Sequence, residues 1–223
     1  MRSFSEHLNL PRKRRVFFSF HYDDIWRVNQ IRNSWRFGSE NTREGTGFFD
    51  ASLWEQTRRE SPASLKQLIR DGLDQTSVTC VLAGFATYER RWVRYEIARS
   101  LTRGNGLLVV DLLQAKRSGL LGISIPELSP RAENPLEYMG VVNEGNGKVR
   151  LVEKPTGLLR RAEWLPYEDY QQAFSLPKGW ITPPPGMHLP LSVYCDTYRY
   201  EEDNGHQHFN CWVDGAARQV SRL

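Results

Sequence analysis

No apolar run in this sequence approaches the length that crosses a bilayer, so a helical membrane span is not expected. The stretch from Met1 to Arg15 is polar and then basic, without the apolar centre of a secretory signal. Cysteine is scarce. Cys80, Cys195 and Cys211 are odd in number and far apart, which argues against a disulfide framework and for a reducing, cytoplasmic setting. Cys195, His206, His208 and Cys211 match none of the common zinc-finger spacings, so no metal site is expected. Also missing are a phosphate-cradling glycine loop, a Gly-x-Ser-x-Gly elbow, a His-Glu-x-x-His helix and any internal repeat. Like charges cluster at Arg12, Lys13, Arg14 and Arg15, but elsewhere the signs are mixed and the net charge is only +4. That arm reads as a solvated lead-in, and nucleic acid is not an expected partner. The tryptophans are scattered and form no base-stacking signature.

What is present suffices for one core plus an elaboration: 223 residues, 39% of them hydrophobic. Residues 1–14 form the arm, 15–115 the core domain and 116–223 an irregular elaboration packed on it. Arg15 to Phe20 is rich in aromatic and β-branched residues and predicts the first strand. Asp23 or Asp24 can cap the helix that follows, whose apolar positions are Ile25, Val28 and Ile31, and which Trp35 closes. Gly47 to Asp50 predicts a second strand. Ala63 to Leu73 predicts a helix with Leu65, Leu68, Ile69 and Leu73 on one face.

Thr76 to Ala83 is nearly continuous in apolar residues, as in a parallel strand buried on both faces. Arg91 to Arg103 has helical spacing, with Val93, Ile97 and Leu101 as its buried stripe, and Gly106 to Asp111 predicts the next strand. Strand and helix alternate, which implies a doubly wound α/β fold with a central parallel sheet and right-handed crossovers. After Lys116, proline and glycine become frequent. Glu144-Gly145-Asn146-Gly147 reads as the turn of a β-hairpin, and Glu163 to Phe174 as a short helix. Leu191 to Cys195 and Phe209 to Val213 fit either strand or helix.

Ligands of such sheets bind outside the carboxyl ends of the strands, here Ser19 to Asp23, Asp50 to Trp54, Gly84 to Tyr88, and from Asp111 onward. Trp92 and Glu96 are four residues apart on one helix, so an aromatic wall and a carboxylate share a face there. Two readings of Glu96 are open: a reactive carboxylate, or a solvated residue paired with Arg99. His21, at a carboxyl strand end, is either structural or pocket-lining. Asp50 either braces its loop or faces the site, and Trp54 either plugs the loop or stacks on a ligand.

Residues from Arg15 to about Asp111 resemble the Toll/interleukin-1 receptor (TIR) domain. Val16-Phe17-Phe18-Ser19-Phe20 is similar to its first strand. Gly47-Phe48-Phe49-Asp50 is similar to its second strand and the start of its BB loop. Trp92 to Ile97 resembles the Trp-x-x-x-Glu helix of NAD-consuming members. Phe17 to Tyr22, Phe49 to Glu55, Thr76 to Leu82 and Arg90 to Ile97 are more closely similar to the TIR-like ThsB proteins of bacterial Thoeris anti-phage systems. Asn134 to Tyr138 and Ser192 to Tyr194 extend that likeness.

The resemblance implies a flavodoxin-like TIR fold and a sensor enzyme that takes NAD as substrate, with no cofactor. It implies an ADP-ribose-derived, cyclic signalling product that activates a separate effector. A phage-derived trigger and a homo-oligomer follow from the same likeness. Carried over by position, Glu96 is the catalytic glutamate, Ser19, Phe20 and His21 line the site, Asp50 to Trp54 form its lid, and Trp92 stands beside it. His21 to Asp24 lacks the basic pair of animal TIR domains, so phosphate contacts do not carry over. A TIR-type scaffold without turnover is the alternative.

Overall fold

A computed structural model describes residues 14–37, 61–113, 131–156 and 163–221. Strand β1, Val16–Phe20, shows why the fold has two faces. Successive side chains of a strand point to opposite sides. Val16 and Phe18 enter one core, while Phe17 enters another with Leu65, Ile69, Leu73 and Tyr95. Strands β2, Val78–Ala83, and β3, Gly106–Asp111, are buried at every position, as their nearly continuous apolar runs predict. Both pair in parallel, β1 with β2 and β2 with β3.

Helix α1, Ile25–Phe37, covers one face of this sheet through Val28 and Ile31. Helix α2, Pro62–Asp74, starts where Ser61 Oγ accepts from the Ser64 amide with proline in the first turn. Its Leu65, Ile69 and Leu73 pack on Phe17. Helix α3, Arg91–Thr102, lies on that same side and packs Val93, Ile97 and Leu101 against Val81, Leu107 and Val109. The expected α/β architecture, a parallel sheet with helices on both faces, is the one observed. The helix expected to close at Trp35 runs on to Phe37, and the strand expected over Gly47 to Asp50 lies outside the described residues.

The chain after residue 130 makes a second, antiparallel sheet. The expected hairpin is there: β4, Met139–Asn143, pairs with β5, Val149–Glu153. Gly145 and Gly147 take the positive φ angles of the turn, 89° and 77°. Strand β6, Leu165–Pro166, flanks β5, and β7, His188–Pro190, flanks β4. The helix expected over Glu163 to Phe174 does not form. The backbone there pairs with β5 instead, at Leu165, Pro166, Tyr167 and Phe174, and a proline edge strand suits Pro166 better than a helix interior.

The same C-terminal chain then returns to the first sheet. Strand β8, Thr197–Arg199, pairs in parallel with β3, giving the order β1-β2-β3-β8. Helix α4, Gly205–Gln219, which includes Phe209 to Val213, joins α1 on the first face through Phe209, Trp212, Val213 and Ala216. Leu191 to Val193 forms a 3-10 turn. Among the described residues no helix is long and apolar enough to cross a membrane.

The expected carboxylate cap of α1 is also replaced. A 3-10 turn, Tyr22–Asp24, leads into the helix, and Asp24 Oδ1 accepts from Arg27 Nη1 at 2.9 Å. Buried at the carboxyl end of the sheet, Asp24 lies so close to Gly84 that an added Cβ would come within 1.9 Å of Oδ2. Gly84→Ala is therefore expected to lower stability by about 1–3 kcal/mol, the usual cost of overpacking, in a urea melt. An unchanged midpoint would show that the Asp24 side chain is free to withdraw.

Candidate active site

Ser19 is the fourth residue of β1, so by strand alternation it shares the side of Phe17 and faces α3. Glu96 lies in the second turn of α3. The Ser19 hydroxyl donates to Glu96 Oε2 at 2.5 Å, and both residues are buried, Glu96 with 5% of its surface exposed. The solvated reading of Glu96 is thus overturned. Arg99 does not pair with it; that guanidinium sits 5.6 Å from the centre of the Tyr170 ring. The helix segment is also tied from behind. Ser100 Oγ donates to the Glu96 carbonyl at 2.7 Å and lies 2.6 Å from Thr79 Oγ1 on β2.

Burial raises the Glu96 carboxyl to about 8, and the Ser19 hydrogen bond opposes that rise. An acid tuned close to neutral pH can exist in either protonation state under working conditions. Because the hydroxyl favours the charged form, Ser19→Ala is expected to move the Glu96 titration upward. Carboxyl 13C NMR of glutamate-labelled protein would register it, and an unmoved midpoint would show that the hydroxyl contributes nothing.

The other expected residues are distributed around this pair. Phe20 packs against the core under α1 and α4, on the opposite side of the sheet from Ser19. His21 is half-buried just past β1, with Nδ1 3.3 Å from Asp23 Oδ2. Trp92 lies one turn before Glu96 but packs toward the α2 core, edge-on to Tyr95 with centroids 6.2 Å apart. Asp50 and Trp54 lie outside the described residues. Among the described residues no group of three or more His, Cys, Asp or Glu is placed to hold a metal ion.

Sequence reasoning passed over several residues at this end of the molecule. Tyr22 and Phe85 each stand two residues past the end of β1 and β2 and are exposed, Phe85 to 70%. An aromatic residue just beyond a strand's carboxyl end was the available signal. Asp169 accepts both Arg91 Nε and Nη2 at 2.8 Å, and Lys66 Nζ at 2.8 Å, so it joins α2 to the start of α3. The Arg91 hydrogen bonds chiefly hold its carboxyl down to about 2. Its distance in sequence from both partners left no local signal.

Residues 17–117 match the family described as Thoeris protein ThsB, TIR-like domain. A protein of Bacillus cereus (strain MSX-D12) named "Putative cyclic ADP-D-ribose synthase ThsB1" is 36% identical over 205 residues, spanning 90% of this chain and 99% of that protein. By that match and that extent of identity, this chain belongs to the ThsB family of Thoeris proteins.

Proposed function

We propose that this protein is an enzyme of Thoeris anti-phage defence that cleaves NAD between nicotinamide and ribose and releases a cyclic ADP-ribose derivative. The observation that carries the reading is the buried carboxyl of Glu96 held against a strand-end hydroxyl, Ser19. The relative named as a cyclic ADP-D-ribose synthase supports the choice of substrate and product.

The chemistry needs little more. The nicotinamide nitrogen already carries a positive charge, so it departs with the bonding electron pair as a neutral molecule and needs no acid. Positive charge then builds on the ribose. An ionised Glu96 beside that ring stabilises the charge and accepts from the ribose hydroxyls, while Ser19 keeps the carboxylate aimed. An adenine nitrogen of the same molecule attacks the ribose carbon and closes the ring. Water attacking there instead gives linear ADP-ribose. Excluding water therefore decides the product.

His21 is the described candidate for binding the substrate beside this pair, with Asp50 and Trp54 as its lid, while Trp92, turned toward the α2 core, braces the helix instead. The side chain of Phe20 faces away, which leaves its backbone for that role. Exposed Tyr22 and Phe85 offer flat surfaces for a base at the strand ends. The product would act on a separate effector, with a phage-derived trigger turning on a homo-oligomeric enzyme. Mass spectrometry of nucleotides from phage-challenged cells expressing the chain tests this. A new ADP-ribose derivative with matching nicotinamide is the expected result. Unchanged NAD and no new nucleotide would favour the scaffold reading.

A further inference from the structure

Arg94 is where the second sheet grips the helix that carries Glu96. It is 5% exposed, as buried as Glu96 itself. Its Nε donates to the Tyr88 carbonyl at 3.0 Å, and its Nη1 donates to Glu153 Oε2 at 2.5 Å and to the Lys154 carbonyl at 3.1 Å. The partners come from the turn after β2 and from the end of β5. Two residues along a helix is a rotation of about 200°, so the two side chains leave α3 on opposite sides. Arg94 goes to the second sheet and Glu96 to β1.

A buried ion pair is a poor way to gain stability, because desolving both charges offsets most of their attraction. It is a good way to fix a geometry. The Arg94 fork reaches three oxygens from two elements, and so fixes both the height and the rotation of α3. Apolar packing by Val93, Ile97 and Leu101 alone leaves a helix more freedom to slide. One turn earlier, Arg91 adds a two-pronged grip on Asp169. The other charges nearby have different described partners: Lys66 with Asp169, Arg70 with Tyr95 and Gln67, and Arg99 over Tyr170.

We propose that Arg94 is a positioning residue: anchored on Glu153, Lys154 and Tyr88, it sets α3 so that Glu96 meets Ser19, which makes the site dependent on the second sheet. Its bearing on catalysis rests on Glu96 being the reacting carboxyl. Its bearing on geometry does not.

The test compares the full-length wild type with Arg94→Lys and with the double substitution Arg94→Met, Glu153→Leu. The double variant replaces the pair with apolar volume and so avoids stranding a buried charge. Two quantities are read: the Glu96 midpoint by carboxyl 13C NMR, assigned by its loss in Glu96→Gln, and kcat and KM for nicotinamide release. The double variant is expected to melt cooperatively. Its Glu96 midpoint is expected to fall by about one pH unit or more, because burial is the larger influence on that group and loosening relieves it. Its kcat is expected to fall about tenfold or more, with KM within about threefold, as for lost positioning.

Arg94→Lys keeps the charge but not the fork, and should fall between; it decides by the same readings if the double variant does not fold. A wild-type midpoint and kcat in the folded variants would overturn the proposal. If Glu96→Gln keeps NAD turnover, the catalytic reading fails, and the NMR midpoint still decides the role of Arg94.

Discussion

Glu96→Gln is expected to fold normally and to lose at least about a hundredfold in NAD cleavage, corresponding to about 3 kcal/mol of transition-state stabilisation. The amide keeps the shape of the side chain and can still accept from Ser19, so the packing around α3 has no reason to change. What it cannot do is carry negative charge toward the ribose as nicotinamide leaves. The loss should appear in kcat more than in KM, because the charge it answers develops in the transition state. Measuring nicotinamide release by purified wild type and variant, each with its melting curve, separates chemistry from folding. A folded variant with wild-type turnover would remove Glu96 from the mechanism.

The same substitution should change how stability depends on pH. Glu96 shifts from an ordinary value of 4.5 to about 8 on folding. Below pH 4.5 it is protonated in both states and favours neither. Between pH 4.5 and 8 the unfolded chain sheds this proton while the folded chain keeps it, so stability declines as pH rises. Above about 8 both states are ionised and the penalty is constant. At about 1.4 kcal/mol per pH unit, the penalty reaches several kcal/mol across that window.

Glu96→Gln imitates the protonated form at every pH. Urea denaturation should find the two proteins alike near pH 4, with the variant increasingly the more stable toward pH 8. Curves that stay parallel over this range would mean that the carboxyl is solvated. Asp169 works at the other end of the scale. Its carboxyl is depressed to about 2, so its contribution is present above the ordinary 3.8 and fades as pH falls through 2.

How far the sequence announced this arrangement depends on the distance over which each feature is determined. Strands β2 and β3 were legible because burial on both faces favours nearly continuous apolar runs. The hairpin was legible because its turn needs glycine at Gly145 and Gly147, where φ is positive. The stripe of α3 was legible from its period.

Contacts between distant segments were not. Spacing put Trp92 and Glu96 on one helix face, but it could not show that Trp92 packs toward α2 while Glu96 goes to β1. The Arg94 partners Glu153 and Lys154 lie 59 and 60 residues away. Strand β8 is three residues long, Thr197-Tyr198-Arg199, too short and polar to be recognised except by its pairing with β3. Helix α4 carries two glycines, Gly205 and Gly215, that dilute its period and left Phe209 to Val213 open to either reading.

The most direct measurement of the central claim is kcat/KM for NAD cleavage by the triggered enzyme as a function of pH, which reports the ionisation of groups in the free enzyme. A reacting carboxyl buried against Ser19 gives a rate that climbs with pH, reaches half its maximum near 8 and levels off above it. A profile already flat across pH 6 to 9 would contradict it.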